Sequence, residues 1–142
     1  MSTMYDVAES LKDYLETNYY FGIWLNESGS NLSNHIMLFD SVEIPYDKQV
    51  LINCDNYEFE YETIDGNVKH ITGTFGLYFS TKVEEDEIQS GINDLVSNCE
   101  NILDDLSKLY DVKLVSGTPG ILRDDDNYIV YVGYDISIDI RV

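Results

Sequence analysis

The sequence predicts an α+β fold, a mostly antiparallel or mixed β-sheet with a long hairpin, packed by two helices. Three observations carry this. Apolar residues recur at three- and four-residue intervals in two separate stretches, the spacing of an amphipathic helix. Residues Tyr57 to Ser80 hold two apolar-rich runs about a central turn, the first alternating strictly with glutamates, and Tyr128 to Val142 alternates throughout. At 142 residues, 44% of them apolar, the chain is long enough for one core and too short for two, so residues 1–142 are expected to form one domain.

The first helix is expected from about Met4 to Asn18, where Met4, Val7, Ala8, Leu11, Tyr14 and Leu15 make one stripe. Thr3 is placed to cap it, and Asp6 puts a negative charge in its first turn. Tyr19 to Leu25 is aromatic and aliphatic throughout and reads as a buried strand. Asn26 to Asn34 is rich in Asn, Ser and Gly and reads as a mobile loop. His35 to Ile44 is a short strand candidate stopped by Pro45.

In the hairpin, Tyr57, Phe59 and Tyr61 alternate with Glu58, Glu60 and Glu62, giving one aromatic and one carboxylate face. Asp65-Gly66-Asn67 supplies the turn. A two-residue turn would pair Tyr61 with His70 and place Phe75 on the glutamate face. A three-residue loop pairs Tyr61 with Ile71 and Tyr57 with Phe75 and is preferred, while a bulge at Gly73 or Gly76 could also repair the register.

The second helix carries Ile88, Ile92, Leu95, Cys99, Ile102, Leu106 and Leu109 in a 4-3-4-3-4-3 pattern. Thr81 and Glu84 match a capping box. Three heptads can make a coiled coil, but a helix packed on a sheet is preferred. A short strand, Val112 to Val115, a Ser116–Gly120 loop and an acidic turn at Asp124-Asp125-Asp126-Asn127 then lead into the last strand.

Charge is the compositional outlier. Twenty-seven acids against eight bases give −19, spread along the whole chain. Such a surface repels phosphate, which argues against ordinary nucleic-acid binding and against an anionic membrane surface. A basic protein partner, DNA mimicry or a wall past which DNA slides remain, beside plain solubility. No stretch approaches the roughly 20 apolar residues of a membrane span. The first residues lack the basic and apolar regions of a secretion signal, so a cytoplasmic location is expected and the sequons at Asn26 and Asn31 are chance matches.

Nothing in the sequence specifies catalysis, a metal or a cofactor. His35 and His70 have no triad-like local context. The Asp124 run fails the calcium-loop pattern, with Tyr128 at the fifth position and no glycine after it. Glu58 and Glu60 lie about 7 Å apart by strand geometry, but a lone strand supplies no cleft. Cys99 falls in the helical stripe, and Cys54 has no basic neighbour to activate it; both read as free thiols. Surfaces are the better lead. The candidate acidic face comprises Glu58, Glu60, Glu62, Asp135 and Asp139, and the candidate interface comprises Tyr19, Tyr20, Trp24, Tyr131 and Tyr134. A long last strand with an open edge would add an assembly surface.

The order of elements, the acidity and the alternating final strand resemble those of tail terminator proteins, the tail-completion or minor capsid proteins of long-tailed bacteriophages and phage-like particles. The resemblance covers most of the chain and lies in layout. It implies a non-enzymatic subunit that assembles with itself into a ring, hexameric in that family. The ring would contact tail-tube or connector proteins and join the particle after cytoplasmic assembly. The alternative is an acidic DNA-mimic inhibitor that occupies the basic groove of a nucleic-acid-binding protein.

Overall fold

Val7, Ala8, Leu11, Tyr14 and Leu15 line the buried face of helix α1 (Met4–Thr17), as their spacing predicts. The computed structural model describes residues 4–26, 29–38, 48–61, 69–108, 111–125 and 127–141, so Thr3 lies outside it. Asn18 ends α1 and starts a second helix. Its backbone is extended, and its Oδ1 accepts from the Phe21 amide at 3.0 Å, an N-cap for α2 (Tyr19–Leu25). The expectation of a strand here is therefore corrected. A seven-residue apolar run fits either state, and the cap together with the i, i+3, i+4 burial of Phe21, Trp24 and Leu25 selects the helix. Asn26, in the left-handed region at φ 55°, closes α2.

The expected mobile loop is also more ordered than its composition suggests. Gly29–His35 forms a 3-10 helix anchored by buried Leu32. Strand β1 (Ile36–Leu38) follows; of the segment expected as a strand, His35 ends the 3-10 helix, and residues 39–44, with Pro45, lie outside the described residues. Lys48 ties this region together. Its carbonyl lies 2.7 Å from His35 Nδ1, and its ammonium donates to the Trp24 carbonyl at 3.0 Å.

Strands β2 (Gln49–Tyr61) and β3 (Lys69–Val83) form the hairpin, but in neither expected register. Tyr61 pairs with Lys69, Phe59 with Ile71 and Tyr57 with Gly73. A bulge between Cys54 and Asn56 then shifts the pairing so that Cys54, Ile52 and Val50 oppose Phe75, Leu77 and Phe79. The bulge lies on β2 rather than at Gly73 or Gly76. It does what any repair must do: it brings the even-numbered apolar residues of β2 onto the same face as its odd-numbered aromatics.

Helix α3 (Ile88–Leu106) packs on β3 and β5 through Leu95, Cys99, Ile102, Leu103 and Leu106. The capping box is absent: Thr81 belongs to β3, and a 3-10 turn, Glu85–Glu87, leads into the helix. Leu109 lies outside the described residues. Strand β4 (Asp111–Asp124) runs straight through the expected Ser116–Gly120 loop. Its glycines serve packing, because a Cβ at Gly117 would meet the Tyr134 ring at 2.7 Å and one at Gly120 would collide with the Tyr131 ring. Strand β5 (Asn127–Arg141) follows a turn at which Asp124 pairs with Asn127.

The sheet is mixed, in the order β1-β2-β3-β5-β4, with β1–β2 parallel and the other pairs antiparallel. The chain is thus α+β, with three α-helices among the described residues where two were expected. The last strand has no open edge, since β3 and β4 pair with it on either side. Side chains from α1, α2 and α3 share one core cluster with Val50, Ile52, Phe75, Leu77, Phe79, Val132, Tyr134, Ile136 and Ile138. The helices therefore lie over one face of the sheet. Asn18 locks them together: its Nδ2 donates to Tyr14 Oη (2.9 Å), whose hydroxyl donates to the Ile102 carbonyl of α3 at 2.6 Å.

Candidate functional site

The face turned away from the helices collects the other half of each alternating strand. Register places Glu58, Thr72, Asp139 and Asp111 in one row across β2, β3, β5 and β4. Glu60 and His70 stand in the next row. On the other side of the Glu58 row, Asn53, Gly76, Asp135 and Ser116 form a further row. The two sets of acids expected on separate strands thus share one face, with β3 between them. Glu62 lies outside the described residues.

This end of the face is polar and partly paired. His70 lies 3.8 Å from Glu60 through Nδ1 and 3.7 Å from Asp139 through Nε2. Thr72 Oγ1 donates to Asp139 at 2.6 Å. Asp139 is half-buried under these contacts, whereas Glu58, Glu60 and Asp135 stand exposed. The bulge contributes Asp55 beside Asp135. Burial, then a hydrogen bond and charge repulsion from Asp135, push the Asp55 carboxyl above the usual carboxylate range. Burial and the same two acids raise the nearby Tyr78 phenol.

The other end of the face is aromatic. Tyr78 lies across Gly76 and Gly133, where a Cβ would stand 2.6 and 2.8 Å from its ring atoms. Leu51 pairs beside Tyr78, and half-buried Tyr131 covers Gly120. The surface is therefore acidic at one end and tyrosine-rich at the other.

The five aromatics expected at an interface separate by location. Tyr19 is 72% exposed and meets Tyr20 edge-to-face at 5.5 Å, Tyr20 itself being half-buried. Tyr131 belongs to the acidic face. Trp24 and Tyr134, by contrast, are 7% and 6% exposed and each meets Phe79 edge-to-face, with ring centroids 5.8 and 6.2 Å away. They are core residues, which corrects the expectation that these two lie at an interface. Asp55, His70, Thr72 and Tyr78 complete the face, and sequence reading assigned none of them to it. Their one signal is position on the polar side of β3 or in the β2 bulge, and neither is visible without the register.

Chemically, the face can repel anions and attract cations. Among the described residues, no group of three or more His, Cys, Asp or Glu side chains converges as a metal site. Cys99 is fully buried in the core, where burial raises its thiol; Cys54 is raised for the same reason, so neither is an activated nucleophile. A separate open cleft of about 320 Å³ lies on the helix side, lined by Ile23, Lys48, Glu87, Asp94 and Asn98 among others. Its one lysine is the bridge to the Trp24 carbonyl. Among the described residues, no helix is long and apolar enough to cross a membrane. No protein-family model matches the chain, and no curated protein matches it.

Proposed function

We propose that this chain is a structural assembly subunit of a phage or phage-like particle, a ring-forming tail terminator or head–tail joining protein. The observation that carries the reading is the two-sided sheet. One face is covered by three helices, while the other presents Glu58, Glu60, Asp55, Asp135 and Asp139 with no described element packed on it. A ring wall needs such a division. Its helix layer supplies stability, and its bare acidic face suits a lumen through which DNA must pass without adhering. The same face suits an acidic DNA mimic, in which the carboxylates stand in for phosphates.

Replacing Glu58, Glu60 and Glu62 together by Lys separates the two. As lumen residues, their reversal leaves fold and assembly intact but makes the assembled protein retard duplex DNA in a gel. As a phosphate mimic, the wild-type protein captures a basic nucleic-acid-binding domain and the variant loses it. A variant that fails to fold contradicts both readings of this face.

A further inference from the structure

Strand β4 is the long edge strand of the sheet, at the side opposite β1. It pairs with β5 along one side, and no described strand lies beyond it. The helix layer packs chiefly on the other strands, α3 on β3 and β5 and α1 on β1 and β2. The consequence shows in neighbouring side chains. Val115 and Ile121 are 43% and 47% exposed, while Ile136 and Val130, directly opposite them on β5, are fully buried. Every residue from Val115 to Pro119 is exposed.

The free edge also has main-chain groups to offer. Counting from the Asp124–Asn127 pair that closes the turn, Arg123, Ile121, Pro119, Gly117 and Val115 direct their backbone groups away from β5. Pro119 fits this phase, because its missing N–H then removes nothing from the β4–β5 ladder. It blunts the middle of the edge and leaves bonding segments on both sides.

We propose that β4 is a subunit contact: its outer edge receives a second copy of this chain, which extends the sheet across the boundary and covers Val115 and Ile121. Charge selects the occupant. A basic partner would be drawn to the acidic face, whereas Leu114 to Leu122 contains no charged side chain at all. On a molecule of net charge −19, this is where a like-charged copy can approach without pressing carboxylates together. Strand addition draws its affinity from main-chain bonds, so it needs no charged anchor. The contact serves the ring proposed above as one half of a heterologous interface, but the pairing itself does not depend on that reading.

The test is the light-scattering mass of the full chain, taken from micromolar to hundreds of micromolar, for wild type, for Val115→Glu with Ile121→Glu, and for Ile121→Pro. The wild type is expected to exceed the monomer mass of 16.3 kDa. The double variant should weaken association at least tenfold with unchanged circular dichroism, since both side chains are exposed. Ile121→Pro, which removes one outward N–H, should do the same; if that proline unfolds the chain, the glutamate variant decides. A wild-type dimer that these variants dissociate upholds the contact while overturning the ring. A wild-type ring that both variants leave intact overturns the contact and spares the ring. A wild type that stays monomeric overturns both.

Discussion

Asp55 shows how the acidic face sets its own cost. Its carboxyl is raised by burial and by Asp135, so ionising it in the folded state is harder than in the unfolded chain, where the value is about 3.9. A raised carboxyl contributes stability that is fully present below the unfolded value and lost as pH rises through the folded one. Asp55→Asn should therefore raise the urea midpoint at pH 7.5, and the advantage should shrink as pH falls toward 4. An advantage independent of pH, or a loss at pH 7.5, would contradict the assignment. Tyr134 carries the opposite kind of cost. Its hydroxyl is buried with no hydrogen-bond partner among the described residues. Tyr134→Phe removes that orphaned group and keeps the ring against Phe79, so it should stabilise the fold by about 1 kcal/mol, read by denaturant unfolding. Destabilisation of that size would mean the hydroxyl has a partner.

At the scale of elements, α3 holds the layers together. Leu95 is 1% exposed in the core that α3 shares with β3 and β5, so Leu95→Ala should cost about 2–5 kcal/mol. A loss below about 0.5 kcal/mol would place that face of α3 elsewhere. α1, α3 and β5 were legible because each repeats one period long enough to exclude the other: the stripe of α3 cannot be a strand, nor Tyr128 to Val142 a helix. Helix α2 was not, because Tyr19 to Leu25 has no polar position to reveal a period; the cap at Asn18 and the burial of Phe21, Trp24 and Leu25 decide it. Strand β4 was hidden by Ser116-Gly117-Thr118-Pro119-Gly120, whose composition signals a loop. There the glycines answer to tyrosine rings and the proline to a free edge. The β2 register depended on a bulge at Asp55, which no local pattern marks. The candidate site was legible in the same measure. Alternation put Glu58, Glu60, Asp135 and Asp139 on polar faces, but that these are one face follows only from the strand order β2-β3-β5.

For the whole molecule, the governing quantity is a charge of −19 on a 142-residue chain. Self-association must overcome that repulsion, so apolar and main-chain contacts have to drive it and salt should help. Raising ionic strength from about 0.05 to about 0.5 M shortens the screening length from about 14 to about 4 Å, which weakens repulsion between exposed carboxylates while leaving strand pairing intact. An acidic mimic bound to a basic target responds in the opposite sense, since screening removes its attraction. The measurement that bears most directly on the assembly account is therefore the light-scattering mass of the wild-type protein across that salt range at fixed concentration. The account predicts a discrete multimer several times the 16.3 kDa monomer, its population growing with salt. A monomer at every concentration and salt would contradict it.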